Sequence, residues 1–436
     1  MTLLFLTLGA IILLLILILV VRMHAFLAML LTSMALGLAA GMPPTAALKS
    51  IQNGFGEALG FIFVVLGLGA MIGAYLEHSG GGRVLADWLL ERFGRERAAW
   101  AILSAAYLVG LPIFFEVGFI ILVPLVWNLA RESKRSLLLY GLPMAAALTV
   151  THALVPPHPA PAAAAQLLGA DLGRAILYGI AISFPMAVVG GILYGGWVSK
   201  RVHVPVPEMA TSLDAPLSNQ RPPHVALIIL LLLLPVLLIL AATLAGPSHS
   251  AMVFLGHPFT ALAVTALCAM VFLGAQRGLS RTQIADLATA SLGPIGSLAL
   301  IMGAGGALKQ VIVDTGAGAY AGRLLASSDI SLLLVAYIIT ACMRIAQGSA
   351  TVSIITAAGL VAPMLKAVSG YRPELVYLAV CCGGTSISHV NDAGFWLVKV
   401  YFGMSVPQTL KTWSVMKAIV SLFGLGLVLI AHRLWG

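Results

Sequence analysis

Apolar runs as long as a bilayer is thick constrain this chain more than any other feature. Residues 3–21 and Val225–Ala245 are each long enough to cross a hydrocarbon core, which needs about 20 apolar residues. Of the 436 residues, 60% are hydrophobic and 9% charged, against about 25% charged in a soluble domain. The chain reads as an all-α polytopic membrane protein. Its formal charge of +9 does not point to nucleic acid, because there is no long basic run and no aromatic-interleaved patch. Basic loops are what the cytoplasmic faces of membrane proteins carry. The N-terminus lacks a basic n-region, so residues 3–21 read as a retained span rather than a cleaved signal. Cys268, Cys342, Cys381 and Cys382 sit in apolar segments without metal-ligand spacing and read as reduced packing residues.

The chain also repeats itself. Thr149-Val150-Thr151-His152 returns 237 positions later as Ser386-Ile387-Ser388-His389. Shifted by 236, Gly60, Gly67, Gly69, Gly80 and Gly82 land on Gly296, Gly303, Gly305, Gly316 and Gly318. Tyr140 corresponds to Tyr377, and one small gap aligns Gly169 with Gly403. A register held this long predicts a first membrane repeat over 1–200, a polar, proline-rich linker over 201–222 and a second repeat over 223–436.

Lys and Arg placement orients the loops. Lys200, Arg201 and Arg221 put the linker in the cytoplasm; 246–257 has no Lys or Arg and reads as outside; Arg277 and Arg281 bring the chain back. The first half reads oppositely. Arg22 lies inside, 43–50 is an outside loop with only Lys49, and Arg83, Arg92, Arg95 and Arg97 lie inside. The equivalent 318–328 has only Arg323 and reads as outside. The halves are therefore expected to be inverted-topology repeats. Each is expected to hold two spans, a glycine-rich span, a short surface helix (83–93 and 319–327), a hairpin (98–131 and 330–368), an interrupted transmembrane helix (136–168 and 373–404) and a last span. At 1.5 Å per residue a hairpin arm is about 25 Å long, which fits either a re-entrant hairpin or two short spans. Tips and interruptions are expected to meet in mid-membrane, where non-helical backbone survives only inside protein or along a wet cavity.

Polar residues in these segments are informative, because a charge at a spanning helix centre costs about 2.5–3.5 kcal/mol on insertion scales. Glu116 falls at the first hairpin tip. Gln347, Gly348, Ser349 and Thr351 fall at the second, suited to offering helix N-terminal N–H groups to an anion; the structural alternative is interhelical hydrogen bonding. His152 and His389, with Ser386 and Ser388, recur beside the breaks and are expected to line a cavity. His158, among Pro156, Pro157, Pro159 and Pro161, reads as a substrate ligand or as purely structural. Asn391 follows the second break as a further ligand. Asp392 is the first candidate for a proton carrier, with Glu116 next. Asp314 is less secure, since a cap or a Lys309 pair explains it too. No zinc-protease, Walker A or flavin fingerprint is present, so neither metal nor organic cofactor is expected. The glycine runs Gly67-Leu68-Gly69 and Gly303-Ala304-Gly305-Gly306 read as close helix packing.

Four stretches resemble the gluconate:proton symporter (gluconate permease) family: Thr151-His152-Ala153-Leu154-Val155-Pro156-Pro157-His158-Pro159, Gly303-Ala304-Gly305-Gly306-Ala307-Leu308-Lys309-Gln310-Val311, Arg344-Ile345-Ala346-Gln347-Gly348-Ser349-Ala350-Thr351-Val352 and Ser388-His389-Val390-Asn391-Asp392-Ala393-Gly394-Phe395-Trp396. The resemblance covers nearly the whole chain. It implies proton-coupled uptake of gluconate or a related sugar or hydroxy acid across the bacterial inner membrane. It also implies a scaffold paired with a hairpin-bearing transport domain, often as a homodimer. The family also includes carriers of other hydroxylated acids such as D-serine. A sodium-coupled carboxylate carrier and, from a different class, an intramembrane hydrolase using a serine with His389 remain alternatives.

Overall fold

A computed structural model describes residues 6, 9–10, 12–14, 16–17, 20–207, 222–245, 248–293, 295–316, 330–389 and 392–435. Among these, every regular element is helical. The first half contains α1 (Ala25–Ala39), α2 (Pro44–His78), α3 (Gly81–Phe93), α4 (Ala98–Val109), α5 (Phe115–Ser133), α6 (Leu138–Leu154), α7 (Pro159–Leu168) and α8 (Leu172–Ala187). The second contains α9 (Val225–Ala245), α10 (Pro258–Ala269), α11 (Arg281–Leu292), α12 (Ile295–Asp314), α13 (Leu332–Gln347), α14 (Ala350–Ala367), α15 (Pro373–Gly384), α16 (Ala393–Tyr401) and α17 (Val415–Trp435). Seven described helical segments are long and apolar enough to cross a membrane: Pro44–His78, Leu138–Leu168, Leu172–Ser199, Val225–Ala245, Pro258–Arg277, Ala350–Ala367 and Val406–Leu434.

Two expected loops are shorter than the sequence suggested. Residues 43–50 belong mostly to α2, because Pro44 sits at the first helical position, where its missing N–H costs nothing. At 35 residues, α2 is about 52 Å long, well beyond a hydrocarbon core of about 30 Å. The segment 246–257 contains a short helix, Ser250–Gly256. The expected surface helix at 319–327 lies outside the described residues, as do 208–221 of the linker and part of the first span. The surface helix of the first half is α3. It starts at Gly80 in the left-handed region (φ 71°) and buries Leu85, Ala86 and Leu89.

The hairpins are α4–α5 and α13–α14. Gly110-Leu111-Pro112 ends the first arm, and Gly348 (φ 78°) ends the arm of the second. With 12 residues, α4 is about 18 Å long, too short to cross a bilayer core by itself. The interrupted helices are α6–α7 and α15–α16. The first breaks at Val155, extended (φ −114°, ψ 113°) as a residue before proline prefers, and resumes at Pro159 in the N1 position. The second stops at Thr385 and resumes where the Asp392 carboxylate caps α16 by accepting from Gly394 N–H.

Corresponding elements make corresponding contacts. The first hairpin arms α4 and α13 pack on α6 and α15, the first segments of the interrupted helices of their own halves. The second arms cross over: α5 touches α16, and α14 packs on α7. Left-handed backbone recurs in pairs 234–237 residues apart: Gly41 and Gly278, Gly80 and Gly316, Lys134 and Gly370, Gly169 and Gly403. Tyr107 meets Ser183 at 2.6 Å, and Tyr337 meets Ser421 at 2.9 Å, tying each hairpin to the last span of its half. The long helices α2 and α12 cross so closely that a Cβ on Gly54 or Gly306 would enter the opposing backbone. That is the close packing expected of small residues in membrane helices.

Candidate functional site

Both hairpin tips and both chain breaks converge on one cavity of about 270 Å³. Phe115 and Glu116 come from the first tip, Thr149, His152 and Ala153 from the first break. Arg344, Gly348, Ser349, Ala350 and Thr351 come from the second tip, Asp392, Ala393 and Gly394 from the second break. Trp413 enters from within the π-helical turn Leu410–Ser414, and Lys417 from the last span just after it. Such turns are frequent at functional sites.

Three helices begin at this cavity. Glu116 is in the first turn of α5, Ser349 is the N-cap of α14, and Asp392 is the N-cap of α16. The Ser349 hydroxyl accepts from Val352 N–H at 3.3 Å, and Ser353 donates to the Ser349 carbonyl at 2.6 Å. Helix N-termini carry unsatisfied N–H groups and positive partial charge, so their convergence favours an anion.

Asp392 is engaged from several sides. One carboxylate oxygen accepts from Arg344 Nη2 and from Ser388 Oγ, and the other accepts from Gly394 N–H at 3.1 Å. Arg344 donates through Nη1 to the Gly348 carbonyl. Ser388 in turn accepts from Trp413 Nε1 at 2.8 Å. The side chains of Arg344 and Asp392 are 2% and 13% exposed. This network joins the second tip, the second break and the last span. Asp392 therefore has a cationic partner that its position in the sequence did not announce.

The histidines divide differently from their sequence register. His158 Nε2 donates to the Gly110 carbonyl at 2.5 Å, and His389 Nε2 donates to the Ile345 carbonyl at 2.8 Å. Each thus ties a chain break to the first arm of the hairpin in its own half, satisfying a carbonyl near that arm's end. In bonding role the counterpart of His389 is His158, not His152. His152 instead lines the cavity, with its ring 4.9 Å from that of His158 and its Nδ1 buried without a hydrogen-bond partner. A second cavity, of about 560 Å³, shares Glu116, His152, Ser349 and Thr351 with the first and extends to Glu77 on α2 and Ser291 on α11.

Other candidates lie elsewhere. Ser386 is buried with its hydroxyl unpaired, and neither it nor Ser388 lines the main cavity. Asp314 accepts from Ser50 Oγ at 2.6 Å and from Gln310 Nε2 at 2.9 Å, away from the cavity. Lys309 pairs with Glu57 (4.0 Å) rather than with Asp314. Asn391 and the Gln347 side chain are outside the described residues. Cys381 and Cys382 are buried free thiols, in keeping with packing roles. Sequence reasoning missed Arg344, Trp413 and Lys417 as site residues. For Arg344 and Lys417 the available signal was a cation inside an apolar run, which is costly and so seldom idle.

The chain matches the model of the GntP family permeases over residues 1–434. It is 42% identical over 417 residues to a gluconate permease of Pseudomonas aeruginosa, covering 94% of this chain and 93% of that protein. It is 40% identical over 422 residues to a high-affinity gluconate transporter of Escherichia coli, covering 95% and 96%. In fold it is similar to the YdaH transporter of Alcanivorax borkumensis, with TM-score 0.70 and 15% identity over 94% of this chain and 98% of that one. With its apolar helices, broken spans and near-complete match to permeases, the chain belongs to the GntP permease family, as a multi-pass protein of the bacterial inner membrane.

Proposed function

We propose that this permease carries gluconate, or a closely related polyhydroxylated carboxylate, into the cell together with protons. The carrying observation is one cavity onto which three helix N-termini, two cations and several hydroxyls converge. The dipole ends and cations suit a carboxylate; Thr149, Thr351 and the unpaired His152 Nδ1 suit a polyol. The names of the two relatives supply gluconate as the member of that class to test first.

Charge balance supports the proton. Arg344 and Asp392 neutralise each other, which leaves Lys417 and Glu116 as the remaining charged groups of the cavity. With Glu116 ionised the cavity is balanced before substrate arrives, and an added carboxylate is uncompensated in a low-dielectric site. Protonation of Glu116 removes that excess, so proton and anion bind together and leave together. The network around Asp392 is the reason to move the proton carrier from Asp392, the first choice on sequence, to Glu116. Opposite membrane orientation of the two halves is part of the same proposal, supported by the inverted Lys/Arg bias.

The deciding experiment is uptake of labelled gluconate into proteoliposomes. Accumulation driven by an inward proton gradient, collapsed by a protonophore and competed by other sugar acids, is the expected result. Accumulation that follows an imposed sodium gradient instead would overturn the coupling, and absence of competition by any sugar acid would overturn the substrate class.

A further inference from the structure

We infer that Lys417 seats the carboxylate of the substrate, an inference that rests on the sugar-acid reading above. Lys417 is 3% exposed, lines the main cavity and holds its ammonium 5.6 Å from the centre of the Trp413 ring. Among the described residues it makes no ion pair. The charged groups that face it are Arg344 from α13 and Asp392 at the start of α16; Glu116 from α5 and His152 from α6 line the same cavity.

Asp392 does not serve as its counter-ion, because that carboxylate is filled by Arg344, Ser388 and Gly394. Arg344 is ion-paired in turn: Nη2 donates to Asp392 and Nη1 to the Gly348 carbonyl, while its Nε is buried without a hydrogen-bond partner. A buried cation without an anionic partner is costly, and proteins keep such a group where an anion will meet it. A lysine ammonium suits this task as a compact point charge whose three donors rotate on a flexible stem. The Trp413 ring beside the ammonium is itself held in place, since its indole is tied to Ser388. The carboxylate end of the substrate then points to the last span, and its hydroxylated tail lies towards Thr351, Ser349 and the second cavity. The site therefore selects the acid over the uncharged amide or alcohol of the same sugar.

The test is equilibrium binding of labelled gluconate to the purified full-length protein, with competition by gluconamide, its neutral isostere. In wild type, gluconate is expected to outcompete gluconamide by a wide margin. Lys417→Arg keeps the charge and is expected to bind within a fewfold of wild type. Lys417→Gln is expected to lose gluconate affinity by about 30-fold or more, the scale for removing one partner of a buried charge pair. Its preference for acid over amide should shrink by a similar factor, a change that a merely structural lysine would not produce. Lys417→Met keeps the stem volume and gives the same reading if the glutamine variant is not recovered as monodisperse protein. A folded neutral variant that binds gluconate within threefold of wild type, with the acid preference intact, overturns the inference. Wild-type protein that binds no gluconate overturns the functional reading instead.

Discussion

Neutralising one member of the Arg344–Asp392 pair should cost far more than neutralising both. Arg344→Met leaves Asp392 buried, but still accepting from Ser388 and Gly394 at a helix N-terminus. Asp392→Asn leaves a guanidinium that is 2% exposed facing an uncharged amide, with only the Gly348 carbonyl as its other acceptor. Removing one partner of a buried pair costs about 3–5 kcal/mol. The carboxylate retains the better solvation, so the arginine variant should fall near the lower end and the asparagine variant near the upper. The double variant removes both charges of this pair and leaves neither unpaired, so the two losses should couple by about 2 kcal/mol or more. Reversible unfolding of the four proteins in mixed micelles measures this cycle directly. Single-variant losses that add within about 0.5 kcal/mol would refute the reasoning, because the pair would then not act as a unit.

Three further outcomes follow from the same geometry. Glu116→Gln should exchange gluconate across proteoliposome membranes but fail to accumulate it against a gradient, and its gluconate affinity should lose the rise expected of wild type as external pH falls; normal accumulation would return the proton to Asp392. Thr351 lines both cavities, and Thr351→Val removes its hydroxyl while keeping side-chain shape; at about 1–3 kcal/mol per unsatisfied partner it should raise the KM for gluconate roughly tenfold or more, whereas an unchanged KM would place the polyol elsewhere. Cysteines introduced at Ser248 and Ser212 should label from opposite sides of the membrane, the first from the periplasm, and labelling of both from one side would rule out inverted halves.

Local rules made much of the fold legible in the sequence. Apolar length marked the spans, and proline before and within 156–161 marked the first break, since proline lacks the N–H a helix needs. Recurring glycines suggested the repeat, and two of those pairs, Gly80 with Gly316 and Gly169 with Gly403, share left-handed backbone in the structure. Glu116, His152, Ser349, Thr351 and Asp392 were legible as candidates because polar groups are expensive inside a membrane, and the structure gathers them around one cavity. What sequence could not supply was partnership. Arg344 and Asp392 are 48 residues apart, and nothing local foretells their contact. His158 and His389 looked like ligands, yet their ring nitrogens are occupied by carbonyls at Gly110 and Ile345. Lys417 was not singled out in the sequence, and it is the tertiary packing that brings it to the cavity. A residue's type and cost are written in its local sequence; whether its polar atoms are already satisfied is decided by elements hundreds of residues away, and that decision separates a site residue from a structural one.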